Sequence, residues 1–275
     1  MMARKVLYIL LLLPALMYAA CLSAQSRVGH VAILGDSNTW LGGDDCSQRK
    51  GWTYWFCQSV RPASCHSYAR SGATWTNTPR TVRDTEENIG SLGDNNVIYN
   101  QALRLIEAYE HSAQPTQCAA QPMERSAQPA PDIIIIAAGT NDAWFNAKRP
   151  EAFKREANDE LSTLPVSKIL TLEGAVMSNC RLLQRHFPKA RLVLLTPMQT
   201  TAADDKLIHK AGDIIAECAT RLGADVIRQD TESKVVSAKE RRHHHYTYDG
   251  THTSEAGARA NGEMIAKQLK LAVAR

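Results

Sequence analysis

Ile133-Ile134-Ile135-Ile136 is the stretch that most constrains how this chain folds. Flanked by Asp132 and by Ala137-Ala138, it is long enough for one strand. It is apolar on every residue, where a strand wet on one side would alternate. Such a strand belongs in a parallel sheet covered on both faces. Val28 to Leu34, Arg191 to Leu195 and Asp225 to Ile227 are shorter runs of the same kind. Between the later ones lie helical stripes. From Leu172, the positions Val176, Cys180, Leu183 and Phe187 step by three or four until Pro188 stops the helix. Leu207, Ile208, Ala211, Ile214, Ile215, Cys218, Ala219 and Leu222 form a second stripe, closed by Gly223 where a left-handed C-cap is wanted. A third helix is expected after Ser254, an N-cap residue, carrying Ala258, Ile265 and Leu269. Strands alternating with helices imply an α/β fold of βαβ units.

The 275 residues, 44% hydrophobic and 22% charged, are ordinary for a globular protein. Residues 25–275 read as one domain. The least regular part is 76–131, with a helix expected from Asn95 to Tyr109 and a tail in which Ser112-Ala113-Gln114-Pro115 is echoed by Ser126-Ala127-Gln128-Pro129. We expect a surface insertion there. Lys and Arg exceed Asp and Glu by 32 to 28, a formal +4 that falls to +2 without Arg4 and Lys5. That is too little to argue for nucleic acid as a partner.

Arg4 and Lys5 precede an apolar run from Val6 to Ala20, followed by small residues, which is the grammar of an export signal over 1–20. The run is short for a membrane span. Cys21 after Tyr18-Ala19-Ala20 resembles a bacterial lipobox, so cleavage by an ordinary signal route and a membrane anchor through acylated Cys21 both stay open. Either places the mature chain outside the cytoplasm: periplasmic, on the cell surface as a lipoprotein, or secreted. Setting Cys21 aside leaves Cys46, Cys57, Cys65, Cys118, Cys180 and Cys218, an even six that an oxidising compartment could pair. Cys180 and Cys218 fall on inward stripes of neighbouring helices, where a disulfide and two buried thiols are equal readings.

Four short blocks carry chemistry. The first strand ends in Gly35-Asp36-Ser37-Asn38-Thr39, which holds a serine at the sheet's C-terminal edge. Ser71-Gly72 follows a short candidate strand, Ser67 to Ala69, and a glycine lets backbone N–H approach a substrate closely. The isoleucine strand ends in Gly139-Thr140-Asn141-Asp142, whose asparagine amide can donate to an oxyanion. Asp249-Gly250-Thr251-His252 places a carboxylate and an imidazole three apart, just before the last helix. A histidine there can take a serine's proton while the aspartate fixes its tautomer.

These blocks, in this order, resemble the SGNH (GDSL-type) hydrolase family over the chain from about Val28 to the last helix. The resemblance implies a flavodoxin-like three-layer sandwich with a five-stranded parallel sheet. It implies Ser37 as nucleophile, His252 as general base and acid, and Asp249 as its orienting partner. The N–H of Ser37, the N–H of Gly72 and the side chain of Asn141 would form the oxyanion hole. Gly51-Trp52, opening a helix toward Val60, is also similar to the family. Members commonly carry Leu, Ile or Val after Gly-Asp-Ser; Asn38 stands here, and no catalytic role falls to it in the family pattern. The family's chemistry needs no metal or other cofactor.

Aromatic residues gather near the blocks. Trp40, Trp75 and Trp144 each lie three residues after Ser37, Gly72 and Asn141, and Tyr246 and Tyr248 precede Asp249. Rings with a polar edge suit sugars and acyl groups alike, so Trp40, Trp75, Trp144 and Tyr248 are candidate substrate contacts. Arg241-Arg242-His243-His244-His245 lacks partner ligands at metal-site spacing and reads as a solvated loop or a rim contact. The expected activity is that of an exported serine esterase removing small acyl groups, acetyl above all, from carbohydrate. A lysophospholipase or thioesterase is the alternative within catalysis, and a glycan-binding protein with a vestigial site is the alternative outside it. The expected partner is an acylated small molecule or glycan. Oligomeric state is not legible in the sequence.

Overall fold

The computed structural model describes residues 28–86, 93–113, 129–155 and 164–273. Five strands, β1 (His30–Gly35), β2 (Ser64–Ser67), β3 (Ile133–Ala137), β4 (Arg191–Leu195) and β5 (Asp225–Ile227), form one parallel sheet in the order β2-β1-β3-β4-β5. This is the flavodoxin-like order. The isoleucine strand is central, paired through Ile134 with Ala32 on one side and Leu192 on the other.

Its residues divide between two cores. Ile134 and Ile136 join Leu34, Leu192 and Leu194 beneath the helices Ile98–Ala113 (α3), Leu172–His186 (α5) and Asp205–Leu222 (α6). Ile133 and Ile135 join Ile33, Val193 and Leu195 under Trp52 and Phe56 of helix Trp52–Val60 (α2) and Ile265 and Leu269 of helix Glu255–Val273 (α9). An uninterrupted apolar strand is thus required, because both faces are covered. Helix ends follow their sequence signals. Thr171 accepts from Gly174 N at 3.0 Å at the start of α5. Gly223 takes a left-handed φ of 64° after α6, and Ser254 accepts from Gly257 N at 3.2 Å at the start of α9.

Three expectations shift. The strand placed at Ser67 to Ala69 is Ser64–Ser67, with Tyr68–Arg70 running on from it beside β1 through Tyr68 N to Ile33 O at 2.8 Å and Arg70 N to Gly35 O at 3.1 Å. The helix placed at Asn95 to Tyr109 is α3, Ile98–Ala113. The stretch read as a surface insertion also supplies core: Ile98, Ala102, Leu105 and Ile106 of α3 are buried under the sheet. Its tail with Cys118, and the leader with Cys21, lie outside the described residues. Among those described, no helix is long and apolar enough to cross a membrane. Cys180 and Cys218 are buried as thiols in the first core, and burial pushes the latter up to about 12.

Candidate active site

The strand order reverses direction at β1 and β3, and the crevice beyond their C-terminal ends is where open α/β sheets bind ligands. Both ends carry a predicted block. Gly35 closes β1, and a Cβ there would come within 2.5 Å of Thr39 Oγ1 and 2.8 Å of Ala137 O, so only glycine fits. The buried Gln101 of α3 grips it twice, Nε2 donating to Gly35 O at 2.9 Å and Oε1 accepting from Gly35 N at 2.8 Å. Ser37 then opens a one-turn helix, α1 (Ser37–Trp40), which Asp36 caps by accepting from Asn38 N at 3.1 Å. Burial raises the Asp36 carboxyl to about 6, against the pull of that N–H, the Thr140 hydroxyl and His252.

His252 Nε2 lies 3.0 Å from Ser37 Oγ, and its Nδ1 lies 2.7 Å from Asp249 Oδ2. The aspartate's other oxygen accepts from Thr251 N at 2.9 Å and His252 N at 2.7 Å. Burial pulls this carboxyl upward. The imidazole and the two backbone N–H groups outweigh it and hold the group below its ordinary value. The arrangement can relay a proton from the serine to an imidazole of fixed tautomer.

Of the oxyanion candidates, Asn141 is held beside the Gly72 turn. Gly72 has a φ of 75°, which a side chain would strain. Asn141, in the short helix α4 (Thr140–Trp144), donates from Nδ2 to Ala73 O at 2.9 Å. The amide's second hydrogen remains for a substrate oxygen. The next residue, Asp142, fully buried, accepts from Trp75 N at 3.0 Å, Thr76 N at 2.9 Å and Thr76 Oγ1 at 2.7 Å. Asn96 Nδ2 donates to Ser71 O at 2.5 Å. The Gly72 turn is therefore held from both sides.

Trp40, Trp144 and Tyr248 are exposed by 43%, 40% and 57%, and Tyr248 stacks on His252 with centroids 5.7 Å apart. Trp75 is corrected: it is fully buried in the first core and donates from Nε1 to Ala138 O at 3.1 Å, so it braces the loop and contacts no substrate. His243, His244 and His245 are all exposed on the loop before the Asp249 block. That loop hangs on the buried Glu240, whose carboxylate accepts from the N–H groups of His245, Tyr246 and Thr247 and from the Thr247 hydroxyl at 2.6 Å.

The model of the GDSL-like lipase/acylhydrolase family matches residues 33–260, which span all four blocks. The chain belongs to that family. It is a carboxylic ester hydrolase. No curated protein sequence matches it. Solved structures share the fold of this hydrolase at low identity. A protein assigned as a GDSL-like lipase from Bacteroides ovatus is 16% identical, with a TM-score of 0.53 over 88% of this chain and 98% of its own. One from Bacteroides uniformis is 17% identical, with a TM-score of 0.53 over 91% and 99%. The acetyl xylan esterase AlAXEase is 16% identical, with a TM-score of 0.51 over 89% and 99%.

Against the family pattern, Asn38 is the residue that sequence reasoning undervalued. Its side chain donates from Nδ2 to Thr251 O at 3.2 Å and accepts at Oδ1 from Thr253 N at 3.0 Å, so one buried amide clasps the two backbone neighbours of His252. The hydrophobic residue usual in the family has no such reach. Asn38→Leu should lower kcat by roughly 10- to 100-fold with KM little changed, because a small displacement of the base is enough. Asn38→Asp, which keeps the acceptor for Thr253 N, should recover part of the loss. Steady-state kinetics on p-nitrophenyl acetate reads both, and an unchanged kcat in the leucine variant would deny Asn38 a positioning role.

Proposed function

We propose that this hydrolase is an exported serine esterase that removes acetyl or similarly small acyl groups from carbohydrate. Ser37 attacks the ester carbonyl, His252 takes its proton and returns it to the leaving alcohol, and Asp249 fixes the imidazole. The N–H groups of Ser37 and Gly72 and the Asn141 amide hold the oxyanion. Water activated at His252 then releases the acyl group from Ser37.

The observation that carries this reading is the continuous relay from Asp249 through His252 to Ser37, at 2.7 and 3.0 Å. The substrate class rests on its surroundings. Exposed rings stand on both one-turn helices that carry site residues, Trp40 on α1 and Trp144 on α4, and such rings suit the faces of sugars. An acetyl xylan esterase shares the fold. Export rests on the sequence of the leader.

The test is hydrolysis of p-nitrophenyl esters of increasing chain length beside acetylated xylo-oligosaccharides. Activity should fall steeply beyond short acyl chains. Trp40→Ala and Trp144→Ala should each raise KM for the oligosaccharide about 10-fold while changing p-nitrophenyl acetate hydrolysis less than about threefold. A preference for long chains would instead select the lysophospholipase reading.

A further inference from the structure

Away from the catalytic relay, three sulfurs meet. Cys46 lies in the loop between α1 and α2, Cys57 on α2 and Cys65 on β2, and their Sγ atoms all lie within 4.8 Å of one another. Cys65 Sγ donates to Cys46 Sγ at 3.3 Å. A disulfide between any two of them leaves the third beside it. Cys46 holds a left-handed φ of 57°, uncommon for any residue but glycine, asparagine or aspartate, and its side chain is buried among the others.

A metal ion is the poorer occupant. A closed zinc site takes four ligands, and the group stops at three among the described residues. A covalent bond between Cys46 and Cys65 needs no fourth ligand, only a two-electron oxidant. Ser67 N donates to Asp44 O at 2.7 Å and Arg70 pairs with Asp44 at 2.9 Å, which lays the Asp44–Cys46 loop alongside β2 and brings the two sulfurs together from adjacent backbones.

We propose that Cys46, Cys57 and Cys65 form a thiol–disulfide relay, in which Cys57 admits an oxidising small-molecule disulfide and the bond comes to rest between Cys46 and Cys65. The Cys57 thiolate attacks one sulfur of oxidised glutathione; the glutathione S–S bond breaks and one glutathione leaves as thiolate, then takes a proton. Deprotonated Cys46 attacks Cys57 Sγ and expels the second glutathione. Deprotonated Cys65 attacks Cys46 Sγ, forming the Cys46–Cys65 bond and returning Cys57 as thiolate. Two protein thiols lose two electrons and two protons, and one glutathione disulfide becomes two thiols. Cys57 suits the entry step because it is partly exposed and because the neighbouring Cys46 and Cys65 thiols hold its own thiol well below the ordinary range. The resting bond would join the loop that follows the Ser37 helix to the strand that leads to the Gly72 turn, and so brace both sides of the oxyanion site.

The reduced full-length protein and its Cys46→Ser, Cys57→Ser and Cys65→Ser variants are incubated with oxidised glutathione and followed by intact mass, peptide mapping and thermal melting. Wild type should gain a Cys46–Cys65 crosslink with no retained glutathione, and its Tm should rise by roughly 5–10 °C. Cys57→Ser should form the same crosslink at least about 10-fold more slowly. Cys46→Ser and Cys65→Ser should lack it and show no such rise. A stable glutathione adduct on wild type, a resting bond through Cys57, formation in Cys57→Ser at the wild-type rate, or one equivalent of zinc protecting the three thiols would each overturn the proposal.

Discussion

Ser37→Ala should lower kcat/KM on p-nitrophenyl acetate by roughly 10⁴- to 10⁶-fold. The loss is chemical and not structural. The Ser37 hydroxyl bonds His252 Nε2, while the turn is held by groups the substitution leaves alone: the Asp36 cap on Asn38 N, the Gln101 grip on Gly35 and the Asn38 clasp on Thr251 and Thr253. The Tm should therefore stay within about 2 °C of wild type. What survives is the weak catalysis of the oxyanion donors acting on water. A second readout separates nucleophile from bystander. A rapidly quenched reaction of wild type should show one acetyl group bound covalently to the peptide containing Ser37, and the variant should show none. If the variant kept more than a tenth of wild-type activity, Ser37 would not be the nucleophile.

How far the sequence foretold this site depends on the range of the interaction concerned. The isoleucine strand and the two helices after it were legible because burial on both faces, or on one stripe, is written in local periodicity. The relay residues were legible because each sits at a strand end or just before a helix. Trp75 misled because equal spacing was read as equal geometry. Trp40 and Trp144 each lie three residues along a helix from a site residue, which brings both side chains to one face. Trp75 instead ends a non-helical turn that Asp142 pulls inward through the backbone of Trp75 and Thr76. Asn38, Gln101, Asp142 and Glu240 act through bonds to backbone far away or in irregular loops, which no periodicity encodes. The meeting of Cys46, Cys57 and Cys65 depends on how a loop, a helix and a strand pack, so counting could suggest pairs but not a trio.

Asp249→Asn should be nearly as damaging as loss of the serine, with kcat down roughly 10³- to 10⁴-fold and KM changed little. The reason is directional. Asp249 Oδ1 accepts the N–H groups of Thr251 and His252, and an asparagine carbonyl can keep both. Its Nδ2 then replaces Oδ2, 2.7 Å from His252 Nδ1, and offers a hydrogen where the carboxylate offered a lone pair. The imidazole must turn its own proton to Nε2. Ser37 then faces a donor and finds no base. Stability supplies an independent reading. The folded carboxyl sits below its ordinary 3.8, so its contribution is present above that value and is lost as pH falls through the folded pKa. Any Tm deficit of Asp249→Asn at pH 7 should accordingly shrink below about pH 4, where wild type loses the same interaction. A deficit that held constant from pH 7 to pH 3 would show that the carboxylate's charge is not what anchors this loop. A kcat near that of wild type would remove Asp249 from the relay and leave His252 oriented by its backbone and by Tyr248 alone.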